Sequence, residues 1–507
     1  MWDRPPACLS IARRDSREDF RPSRPHPRTF GVFSLRKDHA CRDRLEVYPI
    51  SLPLKQTSPM TLRFLASHGM LAIAMITSTH LTSAFADSPW PQFRGASGDG
   101  IVAGQSIPLH FSETENVTWK TELPGKAWSS PVIADGTIWL TTAIENMPND
   151  DERIALLKQK DVEAKKFNQV AIAKSISLKL LAVDFASGKL RHTIDLAEIE
   201  APDPIHSLNS YASPTPVIDG EHIYCHFGTF GTFCVDRTNR EIVWSRTLPL
   251  EHGVGPGSSP FIFRDRLVLI QDGMDRQYVT ALDKATGETA WETDRPELEA
   301  PSGEMKKSYC TPIAITDKQG REQLICMGSQ WIVAYNPSDG SEVWKVYHGK
   351  GFSVVPRPVY GDGVVYFCTG FGKPMLFAVN VEGSGDVTDS HILWQVKKGI
   401  PAKPSPVLHD GLLYVIEDSG VASCFDVKNG EEVWKQRIGG KYSASPVLVG
   451  GHLLIGSHEG KVTLIQPGSE GKVVAENEVD GQIMASPAVV DNALILRTDK
   501  ALYRIEG

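Results

Sequence analysis

No two of the chain's eight cysteines are adjacent, and none forms a C-x-x-C pair. A redox dithiol and a cysteine-built zinc site are therefore excluded by spacing. There is no H-E-x-x-H, no G-x-S-x-G in a strand–turn–helix setting, and no kinase set of catalytic Lys, H-R-D and D-F-G. Those absences remove the helix-borne zinc hydrolase, the serine-elbow hydrolase and the kinase. Gly253-Val-Gly-Pro-Gly257 is glycine-rich, but its proline and the lack of a following helical pattern oppose a phosphate loop. Asp and Glu fall mostly in turn-like contexts, so spacing nominates no acid pair. Positive charge is also short, with 53 Lys and Arg against 61 Asp and Glu. Nucleic-acid binding needs a positive face and is disfavoured. The apolar stretch Met70-Leu-Ala-Ile-Ala-Met-Ile76 is too short to span a bilayer, and no later segment reads as transmembrane.

What is present begins with an unusual N-terminus. Residues 1–59 are rich in Arg and Pro and show no lasting apolar period. From Met60 the pattern becomes that of a secretory leader, with Arg63 near its start, the apolar stretch 70–76, and Ala84-Phe85-Ala86 as a small-x-small cleavage site. A leader belongs at a chain terminus, so translation is expected to start at Met60, with a genuine extension over 1–59 as the alternative. Cleavage near Ala86 implies a periplasmic or secreted protein with no integral membrane segment. Thirteen basic and seven acidic residues lie in 1–86, so the remainder carries about 40 basic against 54 acidic groups.

The rest of the chain repeats one pattern eight times: a Pro pair, apolar residues, a Gly turn, an apolar run, then Asp-x-x-Thr/Ser-Gly and Trp. The pair reads Ser130-Pro131, Ser213-Pro214, Ser259-Pro260, Thr311-Pro312, Arg357-Pro358, Ser405-Pro406, Ser445-Pro446 and Ser486-Pro487. A repeat of roughly 40–50 residues holding several short strands predicts a β-propeller. The predicted fold is all-β: eight blades of four antiparallel strands over residues 87–507. The last repeat stops at Gly507 without its Trp strand, whereas Asn116–Leu123 is such a strand, with Trp119 in place. The N-terminal strand is thus expected to close the last blade, which removes an exposed sheet edge. Trp119, Trp244, Trp291, Trp344, Trp394 and Trp434 are expected to dock neighbouring blades, where a large ring buries much apolar area. His192 and Ala475 take that slot in the first and seventh repeats.

Two segments interrupt the pattern. Residues 144–179 alternate charges with Ala, Leu and Val, which predicts an amphipathic helix running toward Ile176, capped by Asp150 or Asp151. Glu297–Lys307 lengthens the loop into the fourth repeat. Residues ahead of each Pro pair are expected to open the innermost strand. Trp128, Tyr211, Tyr309 and Lys403, joined by Lys307, Arg357 and Tyr442, are the candidate ring at the channel mouth. That ring would meet a protein partner or a small anionic or planar ligand; channel filling with no ligand is the alternative. Cys225 and Cys234 flank a turn and are candidates for a cross-hairpin disulfide, with buried free thiols as the alternative.

Ala281-Leu-Asp-Lys-Ala-Thr-Gly-Glu-Thr-Ala-Trp291 is similar to the A-x-D-x-x-T-G-x-x-x-W signature of the pyrroloquinoline-quinone-like (PQQ-like) repeat propellers. The resemblance covers about residues 116–507. Trp90-Pro-Gln-Phe-Arg-Gly95 resembles an opening of exported planctomycete-type members. One branch of the family implies a quinoprotein dehydrogenase that holds pyrroloquinoline quinone and calcium at the axis and oxidises alcohols or sugars. The adjacent cysteines of its alcohol dehydrogenases are missing here, and its calcium ligands and catalytic Asp map onto no residue. The other branch implies a non-catalytic propeller of outer-membrane assembly, although no lipid-anchor Cys is present. The expectation is a protein- or ligand-binding scaffold, with the PQQ-dependent dehydrogenase as alternative. No catalytic residue, metal ligand or cofactor is assigned.

Overall fold

The computed structural model describes residues 89–507; the extension over 1–59 and the leader over 60–86 lie outside the described residues. Eight antiparallel four-stranded sheets follow one another along the chain, two of them carrying an added parallel strand. The third blade shows why this sequence folds so. Its strands are Phe261–Phe263, Arg266–Asp272, Gln277–Asp283 and Thr289–Asp294. Val268 pairs with Ala281, and Ala281 with Trp291, so period-two alternation stacks all three on one buried face. The Asp283 carboxylate accepts the N–H groups of Ala285 and Thr286, both at 3.0 Å. Gly287 then takes φ +75°, a left-handed turn that suits glycine. A bulge follows each Trp-equivalent pair, as between Ala281 and Leu282, and twists the outer strand toward the next blade.

Blades join through one repeated contact. Trp119, Trp244, Trp291, Trp394 and Trp434 lie over Gly188, Gly287, Gly340, Gly430 and Gly471 of the next blade, where any Cβ would overlap the indole. Each indole N–H also donates to a carbonyl of that turn, at 2.8 to 3.0 Å. Trp344 differs: its N–H goes to Gln323 of its own blade at 2.7 Å. The longer turn of blade five folds over it instead, with Gly385 pairing alongside Trp344, and the ring is fully buried.

Val117–Glu122 pairs antiparallel with Ala501–Ile505, with Trp119 opposite Arg504, so the N-terminal strand closes the eighth blade. Inner strands run from an upper face, which carries the blade-to-blade connections and second-to-third-strand loops, to a lower face of tight turns.

Three expectations need correction. The second blade opens at Thr215-Pro216 rather than Ser213-Pro214, because its inner strand is Val217–Asp219. The insertion is mostly not helical. Thr137–Asn146 and Ser175–Asp184 extend as a ten-residue ladder, leaving an α-helix over Asp150–Gln159 and a short 3-10 helix over Ala164–Gln169. The cap of the α-helix is Asn149, in a reciprocal capping box with Glu152, and Leu157 is its one buried residue, so it has no broad apolar face. Finally, Cys225 pairs with Phe233 and Cys234 with Tyr224. The two cysteines are one register step apart and point to opposite faces, so both are free and buried.

Candidate functional site

The Pro pairs lie at the upper end of the inner strands, where their hydroxyls link the blades. The backbone N–H of Ser130 donates to Thr215 Oγ1 at 3.0 Å, Thr215 to Ser259 at 3.0 Å, and Ser259 to Thr311 at 3.2 Å. Arg357 donates to Ser405 at 3.0 Å, Ser405 to Ser445 at 3.0 Å, Ser445 to Ser486 at 2.8 Å, and Ser486 back to Ser130 at 3.1 Å. This belt opens only between Thr311 and Arg357. There the guanidinium spans the gap, donating to Pro312 O at 3.2 Å.

Inside the ring of inner strands runs the segment Trp90–Val102. Trp90 exchanges backbone hydrogen bonds with Ile133 of blade one, and Pro91 O accepts the N–H of Ile218 of blade two. Arg357 donates to Phe93 O at 2.9 Å and Gly98 O at 3.3 Å. Arg94 donates to Pro406 O at 2.7 Å. Ile101 and Val102 then lie parallel to Leu448 and Val449 of blade seven. The segment thus crosses the axis as a plug. Gly98 has φ +74°, and a Cβ there would overlap the Arg357 guanidinium. Burial holds Arg94 down to about 9, with help from the charge of Arg357, and Arg357 down to about 10.

The structure disperses the ring expected at the mouth. Arg357 binds the plug. Tyr211 is buried, its hydroxyl donating to Asp203 O and accepting from Ala173 N–H, which pins the insertion to the next connection. Tyr309 is buried and donates to His252 O at 2.9 Å. Tyr442 is fully buried; its hydroxyl has no partner, and burial pushes it up to about 12. Lys307 is buried against Glu304. Trp128 and Lys403 remain half-exposed. Trp128 donates to Leu208 O at 3.0 Å, and Lys403 faces Asp418 at 3.4 Å.

The upper face also holds groups that sequence reasoning missed. Burial lowers the His206 imidazole, and the charges of Lys307 and Lys403 add to the effect. His458 is held near 4, by burial and then Lys403. Over this face the two interrupting segments meet. Val170 and Ala171 of the insertion pair with His206 and Ile205, and Lys166 reaches Glu304 of the 297–307 loop at 3.3 Å. Both segments were legible as interruptions; their contact was not, since it spans more than a hundred residues.

Calcium finds no cluster of acidic ligands among the described residues. Among the described residues no three His, Cys, Asp or Glu side chains form a group able to hold a metal ion. All six described cysteines are buried single thiols. The described residues therefore offer no carboxylate cluster for the calcium that a dehydrogenase would need.

A closed ring of eight blades, four of them turning on an Asp and most locked by Trp, defines a PQQ-like repeat propeller. Residues 101–293, 384–466 and 418–507 match the family model described as outer membrane protein assembly factor BamB, and the chain belongs to that family. It is 28% identical over 222 residues to outer membrane protein assembly factor BamB of Yersinia pestis, covering 40% of this chain and 52% of the relative. With the same-named protein of Alkalilimnicola ehrlichii it shares 27% over 169 residues, 32% of this chain and 43% of the relative. The chain thus spans about half the length of these relatives. Among solved structures, a europium-containing methanol dehydrogenase superposes with TM-score 0.56 at 10% identity, over 82% of this chain and 90% of its own. That likeness concerns the fold.

Proposed function

We propose that the protein is an exported, non-catalytic propeller scaffold that docks a protein partner on its upper face, in the assembly of outer-membrane proteins. The observation that carries this reading is the meeting of the insertion with the 297–307 loop, beside apolar side chains left in water. Leu208 is 51% exposed and Met147 49% exposed on that face. Exposed apolar groups at the edge of a polar surface suit partner contact. The names of the curated relatives supply the assembly context, and the leader over 60–86 supplies the export route.

The test is site-specific photocrosslinking in the source cell envelope. Probes at Met147 and Leu208 are expected to trap one protein partner, while a probe at the blade-rim residue Leu393 is not. Crosslinks from the rim alone, or recovery of the chain in the cytoplasm, would overturn the proposal. Dye-linked alcohol or sugar oxidation after adding quinone and calcium would overturn its non-catalytic half.

A further inference from the structure

The chain beyond the leader is acidic, yet one sector of its upper face holds no acid. Three segments build that sector: the connection into blade five (348–358), the loop between that blade's second and third strands (369–375), and the connection out of it (397–406). None contains Asp or Glu, and together they carry Lys350, Lys373, Lys397, Lys398 and Lys403. Blade five does have acids, Asp362, Glu382, Asp386 and Asp389, but all four lie in the turns that follow its first and third strands, away from the upper face.

Register gathers the lysines. Leu376 pairs with Val396, which sets Lys373 near Lys397 and Lys398 at the upper end of the blade. Phe352 and Phe371 exchange backbone hydrogen bonds at 2.9 and 3.2 Å, which brings Lys350 to the Phe371-Gly372-Lys373 tip. A Cβ on Gly372 would lie 3.3 Å from the Lys350 carbonyl oxygen. Lys350, Lys373, Lys397 and Lys398 are exposed, and none has a hydrogen bond from its ammonium or a carboxylate within ion-pair distance among the described residues. Acids return on either side, with Glu297 and Glu299 ahead of blade four and Glu417 and Asp418 on blade six; Asp418 is engaged by Lys403 at 3.4 Å. At the tip, Phe371 is 41% exposed although its backbone is fixed by Phe352.

The chemistry of these groups selects a partner. The free cations are all lysine, compact charges on flexible stems, without the planar fork by which arginine grips a single carboxylate or phosphate. Spread over three segments, they suit a broad negative surface, and an aromatic ring among them suits the boundary between lipid headgroups and acyl chains. An acidic peptide would satisfy the lysines but not Phe371. We propose that the blade-five sector of the upper face docks on an anionic phospholipid bilayer, with the four lysines over the headgroups and Phe371 inserted between them. Blade five lies across the ring from blade one, so this contact uses other residues than the partner surface at Met147 and Leu208 and does not depend on it.

The test is flotation of the protein, as purified from the cell envelope, with vesicles of phosphatidylcholine alone or of equal parts phosphatidylcholine and phosphatidylglycerol. Binding is expected only to the anionic vesicles and is expected to fade as salt is raised, since salt screens exposed charges. A lysine near an anionic surface is worth about fivefold in binding, so Lys397→Gln together with Lys398→Gln is expected to weaken it about twentyfold. Phe371→Ser is expected to weaken binding several-fold without changing its salt dependence. Lys189→Gln together with Lys428→Gln removes the same charge from exposed lysines of the lower face and is expected to change nothing. All the substituted side chains are exposed, so loss of folding does not imitate loss of binding. The proposal is overturned if neutral vesicles bind as tightly as anionic ones, or if the Lys397 and Lys398 changes cost no more than the lower-face pair. It is also overturned if Phe371→Ser binds vesicles as well as the native chain; soluble polyglutamate displacing the vesicles in that case would assign the sector to an acidic protein segment.

Discussion

Arg357 is the residue that departs from the belt, and its departure has a function. Seven hydroxyls link neighbouring inner strands; the eighth position gives up that link and uses a guanidinium to hold the plug. Replacing Arg357 with Met is expected to leave the carbonyls of Phe93 and Gly98 without donors and to destabilise the fold by about 2–4 kcal/mol. Gly98→Ala is expected to cost about as much, by forcing a left-handed Ala and displacing the same guanidinium. Urea denaturation checks both. Buried histidines set a pH dependence. Burial lowers His226 to about 3 and His348 to about 4. Below about pH 6.5 the unfolded chain binds protons that the folded chain refuses, so stability is complete above that pH and falls toward pH 4. The urea midpoint is expected to drop across that window, and His226→Gln to flatten the slope. An unchanged slope would remove His226 from the explanation.

At the scale of the element, the repeat was legible because its letters act locally. Asp283, Thr286 and Gly287 shape one turn, and Trp291 fills the gap beside it. Trp291→Ala is accordingly expected to cost about 3–5 kcal/mol in thermal or urea unfolding. Where elements depend on distant partners, sequence reading slipped. Ser213-Pro214 and Thr215-Pro216 look alike as dipeptides; the hydroxyl belt selects the second, through Ser259 of the next blade. The insertion's composition favours helix, but the ladder between Thr137–Asn146 and Ser175–Asp184 claims its ends. Trp128, Tyr211, Tyr309 and Lys403 were chosen by counting back from a Pro pair, and Lys307, Arg357 and Tyr442 were added to them. Position along the chain says nothing about which way a side chain turns, so Tyr309, Arg357 and Tyr442 lie buried in the protein. His192 in a Trp slot was visible in the sequence; the cavity beside it, walled by Trp139, was not.

For the whole molecule, the ring is closed by its own two ends. Ala501, Leu502, Tyr503 and Ile505 are buried against the strand around Trp119. A chain ending at residue 499 is expected to lose its single cooperative unfolding transition, as followed by circular dichroism, because blade eight would keep only its two inner strands paired and leave Val117–Glu122 without a partner. The plug adds a consequence about time. Residues 90–102 leave the ribosome long before Arg357, Pro406 or Leu448, yet those late residues hold the early segment in place. The first part of the propeller to be made must therefore wait, unsettled, until the last has arrived. The protein can be finished only as a whole, and every incomplete chain carries a loose leading end that marks it as unfinished.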